Sequence, residues 1–216
     1  MYKKIIMFSL LAAVIVFFIY WFYPFKPSVF LSDEQIALEI EEVIFKSNVK
    51  QDVIKIDERH FFVPFITENQ TYSGSYWEWK RNQWKLNWVK INLRPRVLKI
   101  EENNPETYYF VWNLDPRDQV AALDFFLKKK RGYSGTNYHP AIQMKDEISL
   151  DTSSYGIRKL PNDWKSMIEE IKTFEATKAT NTFNRFIFEH HLRFGWVPYD
   201  NHHKVTDITY SLNGSG

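Results

Sequence analysis

The sequence predicts an α+β fold: an N-terminal transmembrane helix followed by one extracytoplasmic domain with a twisted antiparallel sheet and covering helices. Three observations carry this. Ile5 to Tyr23 is a run of nineteen residues without a charge. Apolar residues then recur at helical spacing from about residue 33, and from Val53 to Leu114 the period falls to 2, with β-branched and aromatic residues set between polar turns. The boundaries expected are a cytoplasmic tip at 1–4, a transmembrane signal anchor at 5–23, a juxtamembrane linker at 24–31, the domain at 32–213 and a flexible tail at 214–216.

Composition narrows the class. The 216 residues are 44% hydrophobic and 18% aromatic and contain no cysteine, so neither a disordered chain nor a disulfide framework fits. The net charge is +2, but with Lys3 and Lys4 set aside the 28 basic residues become 26, equal to the acidic ones. An electrically neutral body lacks the footprint of a nucleic-acid binder, and none is expected as a partner. Only seven glycines are present. Two of them lie in Gly214-Ser215-Gly216 and no phosphate-cradling pattern exists, so no nucleotide and no cofactor is implied.

The anchor comes first in the chain. Ile5 to Tyr23 has about the length a helix needs to cross a hydrocarbon core near 30 Å thick, and Tyr20-Trp21-Phe22-Tyr23 matches an aromatic belt at the headgroups. Lys3 and Lys4 precede it, which by the positive-inside rule places the tip in the cytoplasm and residues 28 to 216 outside it. After Val14 no small residues offer a cleavage site, so the segment is expected to stay attached and to contact membrane lipid. An exported domain without disulfides fits a bacterial envelope, and the localisation expected is a single-pass cell-membrane protein.

Pro24 and Pro27 mark the exit from the span. Ser32 with Gln35 three residues on forms a capping box, and Asp33 and Glu34 put negative charge in the first turn of a helix over 33–46, with Ile36, Ile40, Val43 and Ile44 on its apolar face. The strongest hairpin pairs Tyr72 to Lys80 with Trp84 to Asn92 through Arg81-Asn82-Gln83. Its second arm is expected to point Trp84, Leu86 and Trp88 one way, and Tyr76, Glu78 and Lys80 on the first arm face solvent if Trp77 and Trp79 face in. A further arm runs Arg96 to Glu101, turns at Asn103-Asn104-Pro105 and returns as Thr107 to Leu114.

Asp115-Pro116 starts a helical turn, with a capping residue before proline. The turn passes into a strand over Leu123 to Arg131 that pairs with Ala141 to Leu150. Pro161-Asn162-Asp163 opens a helix with Trp164, Met167, Ile168, Ile171 and Phe174 on one face. Phe183 to Phe194 satisfies both the helix and the strand template, and Gly195 as a C-terminal cap favours helix.

Four tryptophans between 77 and 88 form the densest local feature. Tyr76, Trp77, Glu78, Trp79, Trp84, Lys85 and Trp88 are the candidate binding residues, since tryptophan often sits at the energetic centre of interfaces; cross-strand core packing is the rival reading of the same residues. The other candidate chemistry is a metal site drawn from His190, His191, His202, His203, Glu189 and Asp200. Adjacent histidines diverge and no established zinc spacing is present, so no metal is the primary expectation. Ser73-Gly74-Ser75 and Tyr133-Ser134-Gly135 lack the strand-to-helix context of a nucleophile. Lys128-Lys129-Lys130-Arg131 would be split across two faces if it lies in a strand. The function expected is a membrane-anchored, non-catalytic module that engages another envelope protein or a cell-wall component; the alternative is an envelope hydrolase using the His/carboxylate set.

Overall fold

The computed structural model describes residues 2–22, 26–45, 48–129, 132–134, 137–139, 141–150, 153–178 and 192–212. It is an α+β fold in which short helices cover antiparallel sheets. Helix α1 spans Tyr2–Phe22 and α2 spans Asp33–Ile44. A sheet of five strands follows: β1 (Asn48–Lys50), β2 (Ile54–Lys55), β3 (His60–Thr67), β4 (Tyr72–Lys80) and β5 (Gln83–Lys90). A second sheet places β7 (Tyr108–Asn113) between β6 (Arg96–Lys99) and β12 (Tyr155–Lys159). A third places β8 (Ala122–Lys129) between β11 (Ile142–Ser149) and β13 (Leu192–Tyr199). Strands β9 (Gly132–Ser134) and β10 (Asn137–His139) form a small hairpin, α3 spans Asn162–Lys178, and α4 is the turn Thr209–Leu212.

The layers follow from which faces are apolar. Ile36 and Ile40 of α2 pack on Val63, Phe65 and Trp77 of the first sheet. The opposite face of that sheet, with Phe62 and Tyr76, meets Leu98 and Val111 of the second. The other face of the second sheet, with Tyr108, Phe110 and Trp112, meets Leu123, Phe125 and Leu127 of the third, together with Trp164 and Ile168 of α3. Phe110 stacks on Phe125 at 4.0 Å and meets the Trp164 ring edge-on at 5.4 Å. The order is therefore α2, first sheet, second sheet, then third sheet with α3.

Local signals account for several elements. The capping box is present, with Gln35 N donating to Ser32 Oγ and Ser32 N donating to Gln35 Oε1. Arg81 and Asn82 both have positive φ, near 54° and 58°, as a two-residue hairpin turn with the twist of its strands requires. The connection is thus one residue shorter than expected. Asp115 caps a 3-10 turn at Pro116–Asp118 that leads into β8, and β8 pairs with β11 as expected. Asp118 then holds the C-terminal end: its carboxylate accepts from the backbone N of Tyr210 and Ser211 and from the Ser211 hydroxyl, while Ser211 Oγ accepts from Asp115 N.

Four expectations change. Val43 is 54% exposed, because α2 ends at Phe45 in the left-handed region and only Ile36 and Ile40 face the sheet squarely. Trp88 points away from Trp84 and Leu86: Tyr76 pairs with Trp88 but Trp77 pairs with Leu86, so Asn87 is an extra residue and a β-bulge reverses the alternation. Tyr76 is buried, since both faces of β4 are covered. Gly195 lies inside β13 rather than capping a helix, because Leu192 to Tyr199 pairs along β8; residues 183–191 lie outside the described residues. So do the side chain of Phe174 and residues 214–216.

The N-terminal segment is helical, but among the described residues no helix is long and apolar enough to cross a membrane. The apolar run Ile5 to Tyr23 lies only partly among them, because the side chains of 18–22 and residue 23 fall outside.

Gly74 of β4 packs without space for a side chain. A Cβ there would come within 2.6 Å of Leu93 Cδ2 and 2.8 Å of the Phe62 ring, both fully buried. Gly74→Ala is expected to destabilise the domain by about 1–3 kcal/mol, read as a shift in denaturant midpoint at constant slope. The Asp115 clamp gives a pH dependence. Burial raises its pKa, but the hydrogen bonds from Arg117 outweigh that and hold the carboxyl below its usual value. A lowered folded pKa adds stability above the unfolded value of about 4, and this is lost as the pH falls through the folded value. Melting temperature should therefore drop on acidification below about pH 4, and Asp115→Asn should flatten that part of the profile.

Candidate functional site

The aromatic hairpin is largely core. Trp77 is fully buried and donates through Nε1 to Ser75 Oγ at 2.9 Å, and that hydroxyl donates to Val63 O. Trp79 is buried with its ring 5.3 Å from Trp84. Trp84 holds the linker: its Nε1 donates to the carbonyls of Ser28 and Val29 at 3.3 and 3.2 Å, and Phe30 meets its ring edge-on at 5.0 Å while stacking on Phe61 at 4.2 Å. Tyr76 stacks on His60, and burial together with the carboxylates of Glu78 and Asp57 pushes its hydroxyl far above the ordinary range. Glu78 accepts from Asn87 Nδ2, and Lys85 lies opposite it, half-buried. Of the seven candidates, Trp88 lines a hollow beside β6.

Strand β5 is the edge of the first sheet, β6 of the second and β13 of the third, and residues of all three line a groove. Its hollow, about 560 Å³, is lined by Phe125, Phe194 and Trp196 together with Lys90, Arg94, Arg96 and Lys99. A second hollow, about 290 Å³, is lined by Trp88, Leu98 and Glu102 and shares Arg96, Val97 and Lys99 of β6. Along β6, Leu98 packs in the core with the first sheet and Val97 in the core with the third.

The sequence builds this groove by pinning one leucine. Leu93 is buried between the first two sheets; its N donates to Tyr72 O at 2.9 Å and its carbonyl accepts from Asn113 N at 3.3 Å. Asn92 turns the chain into it with φ near 58°. Pro95 biases Arg94 toward extended backbone. With Leu93 inward, Lys90 and Arg94 on either side are exposed. Arg96 lies over the Trp88 ring, 5.9 Å from its centroid, and Lys99 pairs with Glu102 while lying 5.4 Å from the Tyr108 ring centre. Among the described residues no acidic side chain lines the larger hollow, which brings cations together with apolar and aromatic surface. Sequence reading missed it because its residues come from positions 90–99 and 194–196, which look like ordinary edge lysines and core aromatics.

Half of the histidine and carboxylate set is placed by the described residues. Glu189, His190 and His191 lie outside the described residues. His202 and His203 are exposed, and Asp200 closes a turn by accepting from the backbone N of Lys204 and His202; these bonds hold its carboxyl below the usual range. No group of three potential metal ligands occurs among the described residues. Ser73 and Ser75 are buried and hydrogen-bonded to backbone carbonyls. Lys128 lies over the Phe126 ring at the end of β8, and residues 130–131 fall outside the described residues. Away from the groove, buried Asp124 pairs with the half-exposed Lys145 at 2.7 Å on the third sheet. Beside it, burial and the charge of Asp124 raise the pKa of Tyr199.

Compared with protein-family models, with curated proteins and with solved structures, the chain matches none.

Burial separates the two readings of the hairpin by stability. Trp77→Ala is expected to cost roughly 3–5 kcal/mol, whereas Lys85→Ala should stay within about 1 kcal/mol, both measured by chemical denaturation of the full chain.

Proposed function

We propose that this chain is a membrane-anchored, extracytoplasmic binding module of a bacterial envelope, and that its working surface is the groove between β5, β6 and β13. The observation that carries the binding reading is the groove itself: cations from two neighbouring segments line, together with Phe125, Phe194 and Trp196, a hollow of about 560 Å³, large enough for a ligand. The aromatic hairpin contributes Lys90 at the end of β5 and otherwise serves mainly as core. The partner is a cell-wall or other envelope component that enters this groove.

Support for the anchor comes from the sequence run Ile5 to Tyr23 behind Lys3 and Lys4, and from the surroundings of α1. Ile6, Met7, Phe8, Leu10 and Val16 are each 62–65% exposed and lie all around the helix rather than on one face. A helix apolar over its whole circumference needs an apolar medium. Phe30 and Trp84 fasten the following linker to the first sheet, so the domain sits directly behind the segment that emerges from α1. The hydrolase alternative draws no comparable support, since the carboxylate of Asp200 is engaged by backbone amides.

The absence of native cysteine makes a direct test simple. Single cysteines at Gly195 in the groove, where an added Cβ meets nothing within 4 Å, and at Val205, which is exposed and outside the lining set, would be labelled in intact cells with a membrane-impermeant maleimide. Both should label without permeabilisation, and Gly195→Cys alone should be protected until the envelope is washed with high salt. Labelling of either site only after permeabilisation would overturn the topology. Equal, unprotected labelling of both would overturn the groove as the working surface.

A further inference from the structure

We infer that the end of the first sheet carrying the turns 55–59 and 80–83 docks on the anionic surface of the bilayer that holds α1, which fixes the attitude of the domain above it. This rests on the anchored reading of the chain. The first argument is reach. The expected span ends at Tyr23, and the linker is fastened at Ser28 and Val29, whose carbonyls both accept from Trp84 Nε1. Five residues of chain extend at most about 17 Å, so Trp84 and the hairpin turn beside it are tethered within that distance of the bilayer. The two turns lie together: Trp79 N donates to Arg59 O, His60 pairs with Glu78, and Lys80 pairs with Gln83. A folded partner, about 30 Å across for a small domain, does not fit a gap of that height. The bilayer does.

The second argument is charge. This end carries Lys26, Lys55, Arg59, Lys80, Arg81 and Lys85 against Asp57, Glu58 and Glu78, and Lys26, Lys55, Lys80 and Arg81 are exposed. Each of the three carboxylates is already engaged: Asp57 by His60, Glu58 by Lys55, and Glu78 by Asn87 and Lys80. The hydrogen bond from Lys55 holds the Glu58 carboxyl below its usual range, and Lys26 is close enough to add to that lowering, which places the linker lysine beside the 55–59 turn. Basic residues within a Debye length of a bilayer are drawn to anionic headgroups, and the tether keeps these close at any protein concentration. Val29 adds an apolar contact. Trp84 holds its carbonyl while its side chain is 93% exposed, an outward orientation that suits the boundary between headgroups and acyl chains.

The test uses single cysteines in the full chain, one at Gln83 beside the hairpin turn and one at Glu68, past the opposite end of β3 and roughly 25 Å away. Each is labelled with bimane and reconstituted into phosphatidylcholine vesicles with or without phosphatidylglycerol, all containing headgroup-spin-labelled lipid that quenches on contact. Strong quenching of Gln83→Cys is expected with phosphatidylglycerol, relieved by raising the salt from about 50 to about 500 mM, and Glu68→Cys should stay unquenched throughout. Adding the triple change Lys26→Gln, Lys55→Gln, Lys80→Gln should lower the ratio of docked to free domain at least about tenfold, with the far-UV circular dichroism and melting temperature of the parent retained. Should the triple variant misfold, the lipid and salt dependence of Gln83→Cys alone decides. Equal quenching of Gln83→Cys in neutral vesicles, no quenching in either, or equal quenching of both positions would overturn the docking while leaving the anchor intact. A chain stripped from the vesicles by an alkaline wash would overturn the anchor and the docking together.

Discussion

The burial of β7 on both faces is the constraint on which the rest depends. Tyr108, Phe110 and Trp112 alternate toward the third sheet and α3, while Val111 faces the first sheet. A strand with no solvent face needs a layer on either side, and here the first sheet supplies one and the third sheet with α3 the other. Its one large polar side chain, Asn113, is fully buried and donates through Nδ2 to Gln51 Oε1 at 2.6 Å and Ser73 O at 2.7 Å, which ties the second sheet to the first. Misplacing this strand would expose two cores and leave the Asn113 amide unpaired.

The groove is a consequence of that layering. Three twisted sheets stacked on one another cannot keep all their edges aligned, and β5, β6 and β13 meet at an open corner where the layers diverge. Burying Leu93 at that corner fixes the loop 91–95, and the flanking cations project because the leucine cannot. Charge and fold are coupled at this point by sterics alone.

The same layering explains why the tryptophan hairpin, conspicuous in the sequence, is mainly structural. The first sheet has α2 on one side and the second sheet on the other, so alternation along β4 assigns side chains to two cores instead of to core and solvent. Trp77 faces α2, Tyr76 faces the second sheet, and Trp84 fastens the linker. Trp88 faces the second sheet and the smaller hollow because Asn87 is inserted as a bulge.

What the sequence by itself determined was local: the capping box of Ser32 and Gln35, the turn at Asp115-Pro116, the strand pairing of β4 with β5 and of β8 with β11, and the helix opened by Pro161. Each rests on contacts within a few residues or on a hydrophobic period, and such interactions are written in consecutive positions. Only the tertiary structure decided the bulge at Asn87, the strand rather than helix at Leu192 to Tyr199, and the convergence of residues 90–99 with 194–196. The alternation of β4 and β5 could not reveal the bulge, because both faces are apolar and either register buries aromatic rings. The groove could not be read because its two walls lie about a hundred residues apart in the chain and meet through the stacking of layers, a free energy of packing that no local pattern encodes.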